Sequence, residues 1–150
     1  MSAAVLAYEV LLMALFSLIQ WHHFAYLVVS IALLGFGVSG SLLAFTAPRL
    51  ARHFRGFATT QACLFALTAV LGFVLAQRLS FNPEELIWDH HHWLRLALVI
   101  LLLTLPFFFA ANLIGMALIE FRSRLSRVYA ADLLGAGLGA PGIIGILLLL

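Results

Sequence analysis

Lysine is missing from this sequence and charge of any kind is scarce: all eight basic residues are arginines, and only 9% of the 150 residues are charged. A soluble domain carries about 25% charged residues, so a chain this poor in charge cannot dress a surface that faces water. The missing lysine excludes a lysine nucleophile and the lysine of a P-loop. A single cysteine, Cys63, lies in an apolar run, and without a second thiol no internal disulfide can form. The net charge of +2 is too small for nucleic acid to be an expected partner. No basic stretch precedes the first apolar segment, which argues against a cleaved signal peptide. Neither a Ser/His/Asp arrangement nor a nucleophile elbow is visible, and no cofactor is expected.

What is abundant is apolar side chain: 65% of the residues are hydrophobic and the mean hydropathy is +1.14. Lipid, rather than water, is the solvent that such a composition fits. A spanning helix takes roughly 20 apolar residues, so four or five spans nearly exhaust the chain as a single domain. No segment alternates with period two, as a membrane barrel strand would. Because backbone polar groups in hydrocarbon must be satisfied within the segment, helices are what remains. The expectation is an all-α, integral membrane helical bundle of about five transmembrane helices. They run at about Ala3–Ile19, Phe24–Ala47, Phe57–Leu79, Leu94–Ile119 and Val128–Leu150. The first break rests on length. One helix from Ala3 to Ala47 would be about 68 Å long at 1.5 Å per residue, over twice the hydrocarbon thickness. The only polar interruption, Gln20-Trp21-His22-His23, takes the turn.

The loops orient the bundle. Pro48–Gly56 holds Arg49, Arg52 and Arg55, and Phe121–Arg127 holds Arg122, Arg124 and Arg127, whereas Ser80–Trp93 between them holds Glu84, Glu85 and Asp89. The positive-inside rule places both arginine loops, and with them the N-terminus, in the cytoplasm. Trp21, Trp88 and Trp93 then share the outer face, as an interfacial aromatic belt requires. Asn82 as cap, Pro83 at the first helical position and Glu85 three residues after the cap predict a short outer interfacial helix over Pro83–His91. Pro106 predicts a kink in the fourth helix.

Two stretches, Gly35–Gly40 and Gly137–Gly142, match the glycine fingerprint of dinucleotide sites, yet both fall inside apolar helices without the strand–turn–helix context that the fingerprint needs. They read instead as helix-packing residues. Gly35/Ser39 and Gly37/Ser41 are small-xxx-small pairs; Ala131, Gly135 and Gly139 form a longer stripe, with Asp132, Ala136 and Ala140 beside it. Small residues let helix backbones approach closely in lipid. Glu9, Asn112 and Asp132 are the polar groups placed within spans, and an intramembrane carboxylate is by default a candidate for function. Asp132 and Glu120, near the arginine loops, are expected to pair with loop arginines, and Glu9 is expected in a structural role near the inner face. His22, His23, His90, His91 and His92 collect on the outer face with three acids and are weak candidates for a metal or pigment ligand set. No clean i,i+4 pair occurs among them, and interfacial histidines beside tryptophan are the plainer reading.

Trp21-His22-His23-Phe24 leading into Val28–Gly37, then Leu105–Ala110, then the run Val128–Gly139 carry a resemblance that covers most of the chain, its most specific part being Tyr129–Gly139. Together they resemble the N-terminal membrane region of bacterial spermidine-synthase-like proteins. In that family a multi-helix domain precedes a soluble aminopropyltransferase-type domain that binds a decarboxylated S-adenosylmethionine type of cofactor. Nothing corresponding to the soluble domain lies within these residues, which end in a leucine run as a span would. The resemblance therefore implies the membrane part alone, as a fragment or a reduced version. Members often carry an arginine a few residues after the first-helix acid; position 14 here is Ala.

The expected function is a non-catalytic membrane domain or accessory subunit of the bacterial inner membrane. Its partners are the lipid bilayer and other transmembrane helices, as further subunits or a homo-oligomer. The alternatives are a membrane fragment of an aminopropyltransferase-like enzyme and a small transporter or ligand-binding bundle. No internal repeat supports the transporter.

Overall fold

A computed structural model describes residues 1–19, 23–50, 53–78 and 90–149. They form five helices: α1 Ser2–Ile19, α2 His23–Leu50, α3 Phe54–Arg78, α4 His90–Glu120 and α5 Leu125–Leu149, with a 3₁₀ turn at Arg122–Arg124 joining the last two. No strand occurs among the described residues. Each helix follows an apolar run, because a backbone in hydrocarbon has no partner but itself. The long helices reach a few residues further into the arginine turns than the apolar runs do: α2 continues past Pro48 to Leu50, and α4 passes Pro106 without a break. The predicted outer helix over Pro83–His91 lies outside the described residues, except that α4 begins at His90.

Among the described residues four helices are long and apolar enough to cross a membrane: α2 through Tyr26–Ala47, α3 through Phe54–Leu75, α4 through Trp93–Glu120, and α5 together with the turn before it, Arg122–Leu149. The first helix is shorter, apolar over Ser2–Ser17. The surface they present is greasy on every side. Tyr26, Leu33, Phe45, Leu94, Leu138 and Leu148 each stand more than half exposed, Phe45 at 86%. Soluble monomers rarely expose contiguous apolar patches above a few hundred Å². A surface of this kind is that of a bundle immersed in lipid.

The register of the contacts sets the topology. Gly35 meets Thr104 and Phe107, Ser39 meets Asn112, and Leu43 meets Gly115, so α2 and α4 run parallel. Gly72 meets Leu102 and Phe54 meets Phe121, so α3 and α4 run antiparallel. Ser2 meets Asp132, and Ala3 meets Gly135 and Gly139, so α1 and α5 run parallel. The chain therefore reverses direction four times through its five helices, as the expected loops require. The core gathers around α4: Leu103, Phe107 and Ala110 from α4, Val5, Tyr8 and Leu12 from α1, Val28, Ile31 and Ala32 from α2, and Phe65 from α3. Tyr8 ties three helices together. Its ring packs on Phe65 at 6.2 Å and on Phe107 at 5.5 Å, and its hydroxyl donates to the Ala69 carbonyl at 3.4 Å.

Candidate functional site

Three close helix approaches hold the bundle, and each passes through glycine. A Cβ on Gly35 would lie 2.7 Å from the Phe107 Cβ, 3.0 Å from the Phe108 nitrogen and 3.1 Å from the Thr104 carbonyl oxygen. At this crossing α2 and α4 touch backbone to backbone. Gly72 on α3 plays the same part against α4, its missing Cβ 2.9 Å from the Leu102 carbonyl oxygen. Gly139 on α5 lies against the backbone of Ala3, where an added Cβ would stand 2.7 Å from the Ala3 Cα, and a Cβ on Gly135, one turn earlier, would stand 3.6 Å from the Ala3 nitrogen. Dispersion and small-residue fit, rather than the hydrophobic effect, hold helices together in lipid, so these approaches are where the fold is decided.

The predicted small-residue set thus divides. Gly35 and Ser39 face α4, and Gly135 and Gly139 face α1 within the same chain. Gly37 has open space around it, and Ser41 is exposed with its hydroxyl donating back to the Gly37 carbonyl at 3.0 Å. Ala131 is exposed. The contributions of Gly72 and of Gly115, whose absent Cβ would meet the Leu43 side chain, were not anticipated from the sequence. Gly72 and Ala76 repeat the small-xxx-small spacing, which is the signal that could have found the first of them.

Polar groups form a layer near the arginine end. Ser39 donates its hydroxyl to Asn112 Oδ1 at 2.8 Å, both residues 1% exposed, so this hydrogen bond spans α2 and α4 in a dry interior. Ser2 donates to Asp132 Oδ1 and fastens α1 to α5. The partner of Asp132 seen among the described residues is Ser2, because Ala3 packs on Gly135 and Gly139 and brings the start of α1 beside the carboxylate, about two turns into α5. Gln61 of α3, 9% exposed, finds no hydrogen-bond partner for its Oε1 among the described residues, and sequence reasoning passed over it. Glu9 is half-buried one residue after Tyr8. Thr104 answers its own helix, donating to the Ile100 carbonyl at 2.6 Å.

Four of the described arginines lie at one end. The edge-to-face pair of Phe54 and Phe121, 5.5 Å apart at 90°, holds the start of α3 against the end of α4. Arg55 on one side and Arg122, Arg124 and Arg127 on the other, all exposed, therefore share this end with exposed Glu120. Trp93 and Arg95 stand at the opposite end of α4. The side chains of His22, His23, His90, His91 and His92 lie outside the described set, as do Glu84, Glu85 and Asp89. Among the described residues no group of three His, Cys, Asp or Glu is gathered as a metal would need.

Between α4 and α5 the structure leaves a gap. A cavity of about 260 Å³ opens there, walled by Leu113, Ile114, Ala117 and Leu118 of α4 and by Val128, Ala131, Asp132 and Gly135 of α5, with Met1, Ser2 and Ala3 closing one side. A second, wider groove of about 490 Å³ between α2 and α4 is lined by Leu34, Val38, Ala97, Leu101, Thr104 and Phe108 and is almost wholly apolar.

No protein-family model, no curated protein and no solved structure matches this chain.

Proposed function

We propose that the chain is a non-catalytic membrane domain, an accessory bundle that offers α5 as the edge on which further transmembrane helices pack. The observation that carries this reading is the burial of α5: it is apolar along its length and yet has no buried residue. Its small-residue stripe is engaged with α1, which fixes the helix in place and leaves its opposite side, around Gly137, Leu133 and Leu134, uncovered. The arginine end belongs in the cytoplasm on this reading, by the positive-inside rule, in the inner membrane of a bacterium. The resemblance of Tyr129–Gly139 to the membrane region of spermidine-synthase-like proteins extends the proposal. It suggests that the partner on the arginine side carries a soluble aminopropyltransferase-type domain.

The test is photocrosslinking in native membranes from a benzoylphenylalanine placed at position 134 or 137. The expected outcome is a defined adduct heavier than the 16.4 kDa chain, absent when the label stands at Phe45 on α2. Lipid adducts alone from both α5 positions would contradict the reading.

A further inference from the structure

We propose that the cleft between α4 and α5 binds one anionic phospholipid, its phosphate on the arginine turn and an acyl chain in the cleft. Two features that sequence order alone does not join meet here. The first is the cavity of about 260 Å³ between two helices that follow directly on one another. Helices joined by so short a turn ordinarily pack side by side; here α1 wedges against α5 through Ser2–Asp132 and Ala3–Gly139 and the two stay apart. The walls nearest the turn are Leu113, Ile114, Ala117, Leu118, Val128 and Ala131. A hydrocarbon chain suits these apolar side chains, while the polar part of the lining, Ser2 and Asp132, is hydrogen-bonded to itself.

The second feature is charge. Arg122 and Arg124 lie in the 3₁₀ turn and Arg127 in the first turn of α5, all exposed, and Arg55 is brought to the same end by the Phe54–Phe121 pair. Guanidinium groups present paired donors that match phosphate oxygens. The start of α5 adds the positive end of its helix dipole. Two acids face this region. Glu120 is exposed at the end of α4, and Asp132 on the cleft wall is already engaged by the Ser2 hydroxyl. The balance therefore favours an anion at the turn. Arginine clusters at a membrane edge draw acidic headgroups, and the adjoining cleft distinguishes one held lipid from a diffuse counterion layer. The inference rests on the bundle standing in a bilayer, and it is independent of which helices join α5.

The experiment is native mass spectrometry of the full chain in detergent, titrated with phosphatidylglycerol, with phosphatidylcholine of the same chains, and with inorganic phosphate. The expected result is one retained phosphatidylglycerol per chain, with phosphatidylcholine and millimolar phosphate failing to replace it. Binding should weaken roughly fivefold for each of Arg122, Arg124 and Arg127 changed to Gln. The variant R122K/R124K/R127K keeps the charge that sets topology and should still lose severalfold, because the paired donors are gone. Ala131→Phe, which fills the cleft from an exposed position, should abolish lipid retention while helix content by circular dichroism stays unchanged. Equal retention of both lipids, displacement by phosphate, or full retention in the lysine and Ala131→Phe variants overturns the proposal. The same spectra report the number of chains per complex, so failure of lipid binding and failure of helix association are read separately.

Discussion

Helices α4 and α5 are neighbours in sequence and alike in apolar character, but the bundle treats them in opposite ways. In the most apolar 18-residue stretch of Trp93–Glu120 39% of the residues are buried, whereas in that of Arg122–Leu149 none is. The first is gripped by α1, α2 and α3; Phe107 at its middle is wholly buried, and glycines on both α2 and α3 bring their backbones against it. The second touches the rest mainly along one line, where Ser2 and Ala3 meet Asp132, Gly135 and Gly139. In water such a difference would be read from polarity, since an exposed helix must be polar on its outer side. In lipid both surfaces have the same chemistry, so burial follows from which small residues find a neighbour.

That contrast can be broken most forcefully at Phe107. Phe107→Ala should destabilise the bundle by on the order of 3 kcal/mol, the lower end for a buried aromatic because the exposed apolar surface is received by lipid. Unfolding by sodium dodecyl sulfate titration in mixed micelles measures it. Gly35→Ala should cost about 1–3 kcal/mol by overpacking, because the new methyl meets backbone atoms of Thr104 and Phe108, which cannot turn away as a side chain could. Smaller again is the Ser39–Asn112 bond. A double-mutant cycle with Ser39→Ala and Asn112→Leu should return a coupling of about 0.6–1.7 kcal/mol, the range of interhelical hydrogen bonds in lipid. On α5 the effects should shrink. Leu138→Ala should change stability by less than about 0.5 kcal/mol in the same assay, as exposed substitutions do. A loss there as large as at Phe107 would mean that α5 is as enclosed as α4.

The helices themselves were legible in the sequence because hydrocarbon imposes one rule, a continuous apolar run with internal hydrogen bonds, and the runs are long. The breaks at Gln20–His23 and at the arginine turns follow from polarity and length. Helix ends were read a few residues short at Pro48 and before Leu94, since residues at the membrane edge can still propagate a helix after the apolar run has stopped. Facing was less legible. Gly35 and Gly37 look equivalent in sequence, two residues apart in the same motif, yet only the first meets α4. Helical periodicity puts them on different sides of α2, and with lipid on one side and protein on the other no polarity difference marks which side is which. Asp132 drew its partner from residue 2, across 130 positions, which no local spacing encodes. Gln61 could have been flagged as a lone amide in an apolar segment, although only the folded bundle shows it buried with its Oε1 unpartnered among the described residues.

The most direct measurement is the accessibility of nitroxide labels placed singly along α4 and α5 in liposomes. Labels at Leu134 and Leu138 should be quenched strongly by oxygen, which concentrates in lipid, and hardly at all by a water-soluble nickel chelate. Labels at Ala110 and Ala111 should resist both. Strong nickel access at Leu134, or oxygen access at Ala110 equal to that at Leu138, would contradict a lipid-immersed bundle built around α4 with α5 at its open edge.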